Sequence, residues 1–340
     1  MTDNLITIYL DSIAYKKIIH DQELFKTGKN KSEIIKKIII NHYSKYEVNI
    51  NELKQKIKDT IINESDNHQF NEEKYLNIVW KITKYLTEKT NVFSNETKKQ
   101  KRKINIRKNK KDSELEFILD SCPKNASESE YLANIIYSYL KEPQYEREKI
   151  ICRDIIDTIN EAIQNKQSIR IITKSNKENR VQSINPKEIC TSQEGLYNYL
   201  LYQGFSDKSK KYYASTIHIY NILSVHIDMN HIAFQSNIEE QFNKMKRNGV
   251  QFSINGNTVY KVKLTENGKF LFKSRYLERP VPLPKSDENI GIYYFDCSEM
   301  QFKSYFAPFR KDVIILEPKE MVDEIIQEYK DAMYSYQNDI

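Results

Sequence analysis

Glycine is scarce in this sequence, with seven residues in a chain of 340. Neither GxGxxG nor GxxxxGK followed by Ser or Thr occurs, so the loops that cradle dinucleotide or triphosphate groups are missing. The GxSxG elbow of α/β-hydrolases is absent too. These absences argue against a nucleotide-dependent enzyme or a serine hydrolase, and we expect no cofactor.

Cysteine and histidine are few and scattered. The four cysteines, Cys122, Cys152, Cys190 and Cys297, form no CxxC pair, which excludes a zinc ribbon and is unlike a disulfide framework. No HExxH occurs, and between His226 and His231 the only acidic residue is Asp228. We interpret these histidines as ordinary strand or loop residues. The sequence predicts neither catalytic residues nor a metal site.

Long apolar runs are also absent, and none approaches the roughly 18 residues that a membrane helix needs. The N-terminal segment MTDNLITIYLDSIAYKK lacks a long apolar core and a small-residue cleavage site. Scattered thiols suit a reducing compartment. We therefore expect a cytoplasmic protein with no membrane partner.

The chain is moderately basic, with a formal net charge of +6 and a pI of about 8.8. That charge favours a polyanionic partner. It is also typical of compositional drift, because Lys, Asn and Ile are abundant together. The location of the charge therefore has to decide between these interpretations.

A short strand and a first helix are predicted at the start of the chain. Ile6 and Ile8 alternate with Thr7 and Tyr9, the period of a half-buried strand. Asp11 or the serine after it can cap the following helix, which runs to about residue 26 before a glycine breaks the chain.

A second helix then opens at Asn30, with Glu33 three residues later as a capping-box partner. Its apolar residues share one face: Ile34, Ile35, Ile38 and Ile39. Strand, helix, turn and capped helix resemble a ribbon-helix-helix unit. Two such units pair their strands as an antiparallel ribbon that enters the major groove of DNA.

The same pattern returns about ninety-seven residues later. Ile104 and Ile106 alternate with polar residues, a helix and a turn with Pro123 follow, and Ser127 with Glu130 forms another capping box. The apolar residues of the last helix match those of the first copy in register: Tyr131, Leu132, Ile135 and Ile136. Either one chain carries both halves as an intramolecular pseudo-dimer, or the second copy is a plain helical hairpin.

Candidate nucleic-acid contacts come from both copies. Asn and Arg side chains can make bidentate contacts to base edges, and capped helix starts offer backbone N–H groups to phosphates. Nine of the sixteen residues from 96 to 111 are Lys or Arg, and this basic run leads into the second strand. The candidates are Thr7, Tyr9, Asn30, Lys101, Arg102, Lys103, Asn105, Arg107 and Ser127.

The middle of the chain follows a predicted linking helix, EREKIICRDIIDTINEAIQNK, with strand-like pieces at Ser168–Thr173, Leu196–Gln203 and Tyr212–Ile227. SIRIIT, the Asn185-Pro186 step and GLYNYLLYQG resemble a WYL domain, an Sm-like small β-barrel, over about residues 150–230. Asn198-Tyr199-Leu200 then stands at the position of the name-giving Trp-Tyr-Leu.

The resemblance implies a ligand site. Members of that family are thought to sense nucleic acid or small ligands through basic positions after this motif. Here the usual arginines are replaced within KKYYASTIHIYNI, and His218 stands where an arginine is common. The implied ligand-binding residues are Arg170, Lys174, Arg180, Tyr199, Lys210, Lys211 and His218.

Residues 250–336 resemble the WCX-type extension that often follows WYL domains. SYFAPFRKDVIILEPKEMVDEIIQEYKDAMYSY reads as a short helix, an apolar strand at Val313–Leu316, a Glu317-Pro318 stop and an amphipathic helix. The resemblance implies a small α+β domain engaged in dimer contacts or ligand recognition. We therefore expect a homodimer through the C-terminal half.

Together these features predict an α+β multidomain chain. The boundaries are 1–45 for the first ribbon-helix-helix copy, 46–93 for a helical insertion, 94–148 for the basic segment with the second copy, 150–230 for the WYL domain and 245–340 for the extension. The leading hypothesis is a ligand-responsive transcription regulator, not an enzyme. A WYL domain combined with a ribbon-helix-helix head also resembles the accessory proteins of type VI-D CRISPR systems. That resemblance implies the alternative, a protein that binds single-stranded RNA and modulates an RNA-guided RNase.

Overall fold

The computed structural model describes residues 5–28, 30–64, 75–82, 85, 101–107, 113–124, 126–174, 179–254 and 256–338. It divides into two compact units, Met1–Asp154 and Ile155–Ile340. Helices and small antiparallel sheets occur in both units, so the predicted α+β class is confirmed. Over these ranges, no helix combines the length and the apolar character needed to cross a membrane.

Over its described residues, the N-terminal unit is mainly helical and has one pair of strands. In chain order its elements are β1 (Leu5–Leu10), α1 (Ser12–Leu24), α2 (Lys31–Glu64), α3 (residues 75–82), β2 (Arg102–Arg107), α4 (Ser113–Asp120), α5 (Glu128–Lys141) and α6 (Gln144–Ile151); α7 (Arg153–Gln164) spans the boundary between the units.

Two local predictions about these helices need correction. α2 passes without interruption through the boundary expected after residue 45, because no glycine or proline occurs between Lys31 and Glu64. The single predicted linking helix is two helices, α6 and α7. The chain leaves helical geometry at Cys152, whose φ and ψ are −96° and 18°.

The strands β1 and β2 pair with each other in antiparallel register inside one chain. Ile6 lies opposite Ile106 and Ile8 opposite Ile104, and all four side chains are buried. Beneath them pack the apolar faces predicted for the two capped helices, since Ile34, Ile35, Ile38 and Ile39 of α2 and Leu132, Ile135 and Ile136 of α5 are buried. The two strand-and-helix copies therefore share one core.

The C-terminal unit begins with a five-stranded antiparallel sheet in the order β6-β5-β4-β3-β7. Its strands are β3 (Gln167–Thr173), β4 (Arg180–Thr191), β5 (Asn198–Ser206), β6 (Lys211–His218) and β7 (Ile222–His231). The predicted closed barrel is not confirmed. β6 and β7 are the two edges of the sheet, and the 3-10 turn Ile219–Asn221 joins them without a ladder between them.

A second, three-stranded sheet completes this unit, in the order β10-β8-β9. The elements are α8 (Ser236–Asn248), β8 (Tyr260–Leu264), α9 (Glu266–Ser274), β9 (Ile292–Phe295), α10 (Glu299–Phe306), β10 (Val313–Glu317) and α11 (Lys319–Asn338). α8 packs on β5 and β6 through Phe242 and Met245, whereas the second sheet has its own aromatic core around Phe295, Phe302 and Phe306. The predicted strand Val313–Leu316 and final helix are confirmed.

Candidate nucleic-acid interface and effector cavity

The outward face of the β1–β2 ribbon gathers most of the predicted base-reading residues. Because the isoleucines point inward, Thr7, Tyr9, Asn105 and Arg107 lie on the opposite, solvent-facing side. Thr7 is directly opposite Asn105, and its Oγ1 donates a hydrogen bond to Asn105 Oδ1 at 3.1 Å. The structure thus brings together side chains that are ninety-eight positions apart in sequence.

Cations on this face come from the second strand alone. Lys103 and Arg107 are exposed on this face. Arg102, which lies opposite Leu10 and therefore on the side of the isoleucines, is exposed at the start of the strand, and Lys101 is half-buried just before it. The remaining basic residues predicted in this run, at positions 98, 99, 108, 110 and 111, lie outside the described residues. In duplex recognition, exposed cations contact the phosphates, and amide side chains such as that of Asn105 contact the base edges.

Two capped helix starts, those of α2 and α5, belong to the same unit. The Glu33 N–H donates to Asn30 Oδ1 at 3.4 Å, and the Glu130 N–H donates to Ser127 Oγ at 3.3 Å. Both predicted caps are therefore formed. The first turn of α5 carries two carboxylates, Glu128 and Glu130, which oppose a phosphate at Ser127.

Asp11 connects the end of β1 to the helices below the ribbon. It caps α1 by accepting the backbone N–H groups of Ile13 and Ala14 at 3.0 and 2.8 Å. Its other oxygen accepts the Tyr137 hydroxyl of α5 at 2.8 Å. Asp11 is buried, so these hydrogen bonds fix the end of β1 against α1 and α5.

A second buried network, which sequence reasoning missed, joins α1 to α5 and α6. Asp21 is fully buried and accepts two bonds from the Arg147 guanidinium, at 2.8 and 3.0 Å, and one from the Tyr139 hydroxyl at 2.8 Å. Burial raises the pKa of Tyr139 well above its ordinary value, so it remains a neutral donor. Burial alone would lower the pKa of Arg147, but its bonds to Asp21 raise it overall.

The predicted ligand residues of the C-terminal unit divide into separate groups. Tyr199 and His218 meet, with ring centroids 4.2 Å apart. Arg170 lies on the exposed face of β3, 3.7 Å from Asp228 of β7. Lys174 and Arg180 are exposed where β3 leads into β4. Lys210 and Lys211 are at the far end of the β5–β6 hairpin.

A cavity of about 410 Å³ surrounds the Tyr199–His218 pair. Side chains from β5, β6, the following 3-10 turn, the loop after α8 and the start of α10 line it: Tyr199, Thr216, Ile217, His218, Asn221, Gln251, Ser253, Ser298, Glu299 and Met300. The rings of Tyr197 and Tyr220 extend the aromatic group around His218, at 5.3 and 4.6 Å between centroids. The volume is in the range of small-molecule sites.

Thr216 Oγ1 and Gln251 Oε1 line this cavity and are buried without a hydrogen-bond partner. Gln251 is oriented by its amide nitrogen, which donates to Glu194 Oε1 at 2.9 Å. Buried polar atoms are normally paired, so these two mark positions that a ligand could satisfy. Among the described residues, no lysine or arginine lines the cavity, whereas the carboxylate residue Glu299 does. The cavity therefore favours a neutral or cationic ring over a phosphate.

Asn198, at the position for which the WYL resemblance predicts a tryptophan, makes a polar contact inside the sheet. Asn198 is fully buried, and its Oδ1 accepts the Thr191 hydroxyl of β4 at 3.0 Å. A cross-strand polar bond thus occupies that place in the sheet. Sequence reasoning identified Tyr199 and His218 but not Thr216 or Gln251, because isolated polar residues carry no periodic signal.

The tip of the β5–β6 hairpin presents aromatic rings to solvent. Phe205 and Tyr212 are opposite each other, 45% and 42% exposed, with ring centroids 5.1 Å apart. Lys208, Lys210 and Lys211 belong to the same hairpin, and Lys210 is also 3.3 Å from Asp207. Rings next to lysines can stack on unpaired bases while the lysines contact the backbone phosphates.

Side chains of the metal-ligating types and four free thiols also occur among the described residues. Within the residues that the structure describes, no group of three or more His, Cys, Asp or Glu side chains could hold a metal ion. Burial raises the pKa of Cys152, Cys190 and Cys297 to about 12, and it also raises that of Cys122. The thiols therefore stay protonated at neutral pH and are poor nucleophiles.

The whole chain is similar to a solved structure described as the crystal structure of a CRISPR Cas-related protein. The match covers 100% of this chain and 96% of that chain, with a TM-score of 0.64 and 19% identity. A second match, to the proteasome accessory factor B/C (PafBC) of Arthrobacter aurescens, covers 61% of this chain and 32% of that one. Its TM-score of 0.25 and identity of 15% are too low to indicate a shared fold. No protein-family model and no curated protein matches the chain. The comparisons thus show a fold that is shared from end to end with a CRISPR Cas-related protein.

Proposed function

We propose that this chain is a non-enzymatic nucleic-acid-binding regulatory protein. In this proposal β1, β2 and the helices packed beneath them form a ribbon-helix-helix head that reads duplex DNA. The WYL-like sheet and the extension sense an effector in the cavity around Tyr199 and His218. Occupation of that cavity would bias the placement of two such heads in a homodimer.

The observation that carries the proposal is the outward face of the ribbon. A two-stranded antiparallel ribbon has the width to enter the major groove, and its alternate side chains then meet the base edges. Asn105 and Arg107 are suited to adenine and guanine, respectively, while Lys103 and Arg102 can reach phosphates. The exposure of these four side chains supports contact with a ligand over a role in the core.

The first test is fluorescence anisotropy across a salt series. The probes are duplex DNA from the protein's own promoter, random duplex DNA and single-stranded RNA. Promoter duplex is expected to bind more tightly than random duplex. The Asn105→Ala/Arg107→Ala variant should lose roughly tenfold to a hundredfold for each base contact removed. Random-duplex affinity, which depends on phosphates, should fall less.

A matched control removes the same residue types from exposed positions in the C-terminal unit, Arg275→Ala/Asn289→Ala. It should bind promoter duplex like the wild type. Equal affinity of the wild type for promoter and random duplex would refute the proposal, as would an unchanged affinity of the ribbon variant.

A second candidate function is an accessory protein that binds single-stranded RNA and modulates an RNA-guided nuclease. Its specific support is the hairpin tip, where Phe205 and Tyr212 are exposed among three lysines. The fold shared with a CRISPR Cas-related protein favours the same direction. A neighbouring gene for such a nuclease beside a CRISPR array would strengthen it.

The same anisotropy assay separates the two functions. If RNA binding dominates, Phe205→Ala/Tyr212→Ala should weaken it, and the ribbon variant should leave it unchanged. Phe270→Ala/Tyr276→Ala is the control, because these rings are 67% and 71% exposed at other positions in the same unit. Tight RNA binding that the hairpin variant leaves intact would contradict this second candidate site.

A further inference from the structure

The two strands of the ribbon are related by a pseudo-twofold axis that passes through the Thr7–Asn105 pair. Aligning the copies at their isoleucines, Ile6 with Ile104 and Ile8 with Ile106, places Thr7 over Asn105. The outward cross-strand pairs are Leu5 with Arg107, Thr7 with Asn105, and Tyr9 with Lys103. The middle pair is therefore flanked by one pair on each side.

The backbone of the ribbon is pseudo-symmetric, but its chemistry is not. Under the alignment, Leu5 corresponds to Lys103 and Tyr9 to Arg107. All the charge on the outward face thus comes from β2, whereas the first strand contributes an apolar, a hydroxyl and a phenol group. Even the middle pair is polar in one direction, since Thr7 donates and Asn105 accepts.

The starts of the two capped helices, α2 and α5, also differ in charge. Lys31 follows the cap of α2, whose first turn has one carboxylate, Glu33. The first turn of α5 has two carboxylates and no cation. A phosphate is stabilised at a helix start by N–H groups and positive charge, and it is repelled by carboxylates. A DNA phosphate is therefore favoured at the start of α2 over the start of α5.

A ribbon built from two identical chains presents the same side chains to both halves of its site, so it reads palindromes. This one cannot do so. We infer that, granted the proposed DNA-reading function, each chain is one complete reading head and recognises a non-palindromic duplex site. The side chains of Leu5 and Arg107 face one half of that site, and those of Tyr9 and Lys103 face the other. The head binds its site in a single orientation.

The experiment is selection of binding sites from a random duplex library with the full chain, followed by affinity measurements. The symmetry of the enriched motif is examined within one helical turn, about 10 base pairs, because two heads of a dimer would add inverted copies farther apart. The selected site is then compared with two palindromes, each built by duplicating one of its halves. We expect the protein to bind the selected site at least roughly tenfold more tightly than either palindrome, because each palindrome removes at least one base contact.

A symmetrised variant tests the cause. Leu5→Lys/Thr7→Asn/Tyr9→Arg gives both strands the same outward residues, and its affinity should shift toward one of the palindromes. Leu5 is 42% exposed, and Thr7 and Tyr9 are half-buried on the outward side, so the isoleucine core is untouched. The same three replacements at exposed positions of the C-terminal unit, Leu277→Lys/Thr258→Asn/Tyr276→Arg, form the control.

The outcomes are distinguishable. A palindrome that binds as tightly as the selected site overturns the inference, although DNA reading would stand. A symmetrised variant that keeps the wild-type preference overturns the assignment of the asymmetry to these strands. Selection that enriches no duplex sequence at all is instead the failure of the proposed function. Thermal unfolding of each variant, followed by circular dichroism, identifies any loss of affinity that comes from misfolding.

Discussion

Asp21 is the residue whose replacement we expect to lower the stability of the N-terminal unit most. It is fully buried and holds the Arg147 guanidinium in a two-point contact. Losing one member of a buried pair leaves the other charge without compensation. Asp21→Ala and Arg147→Met should each lower the free energy of unfolding by about 3–5 kcal/mol.

The Asp21→Ala/Arg147→Met double variant should cost clearly less than the sum of the single variants, because it leaves no unpaired charge. Urea unfolding of the four proteins measures this cycle. Lys45→Ala is the control, since the Lys45–Glu142 ion pair at 2.8 Å is half-exposed and should contribute under about 1 kcal/mol. Additive losses would contradict the coupling that the geometry implies.

His42 makes the stability of the same unit depend on pH. Burial, together with the nearby Lys45, lowers its pKa from 6.5 to about 4, and its Nε2 lies 3.1 Å from Ser138 Oγ. Between these pH values the unfolded chain binds a proton that the folded chain does not. The contribution is therefore fully present above pH 6.5 and is lost as the pH falls toward 4.

The loss across that window should reach roughly 3 kcal/mol at most, from the size of the pKa shift. The measurement is urea unfolding at several pH values for the wild type and His42→Gln, whose difference isolates this group from the carboxylates. His20→Gln, at an exposed position, serves as the control. A wild-type curve parallel to that of His42→Gln from pH 4 to 6.5 would refute the prediction.

Among the secondary-structure elements, α9 depends on a close approach that only glycine permits. A Cβ atom on Gly268 would lie 2.2 Å from the backbone oxygen of Asp312. Asp312 also accepts the side chains of Thr265 and Asn267, at 2.7 and 2.8 Å, so it is fixed against the first turn of the helix. Neither partner can move without breaking these bonds.

Gly268→Ala should therefore destabilise the C-terminal unit by about 2 kcal/mol or more, although alanine normally favours a helix. Gly256→Ala is the control, because the nearest atom to its added Cβ is 3.9 Å away. Thermal unfolding compares the two variants. A Gly268→Ala variant as stable as the wild type would mean that α9 and Asp312 separate easily.

The ribbon was predictable from sequence, and the cavity was not, for a physical reason. Ile6, Ile8, Ile104 and Ile106 alternate with polar residues, so one rule of sheet geometry identifies both strands and their outward faces. The internal repeat made pairing of the strands within one chain one of two alternatives, and the strand register decides for it.

The cavity residues Thr216, Gln251 and Ser298 come from three elements and share no sequence period. The openness of the five-stranded sheet was also beyond sequence reasoning. Ladder closure between β6 and β7 depends on the path of the turn at residues 219–221, not on the alternation within either strand.

At the scale of the whole molecule, the final helix carries an apolar stripe that one chain leaves open to solvent. Ile326, Tyr329, Met333 and Tyr336 are 46%, 54%, 58% and 74% exposed. Their spacing of three, four and three residues is that of a coiled-coil seam. This stripe makes α11 the element through which we expect the C-terminal halves of two chains to associate.

Light scattering should therefore give a mass near twice 40.5 kDa at micromolar concentration, because each chain buries its stripe against the other. Tyr329→Glu/Met333→Glu places charge in the seam and should shift the mass toward that of one chain. Gln327→Glu/Ser335→Glu adds the same charge outside the stripe and should leave the dimer intact. A single-chain mass for the wild type at every concentration would refute the dimer. In that case one asymmetric head per particle would have to account for all of the DNA affinity.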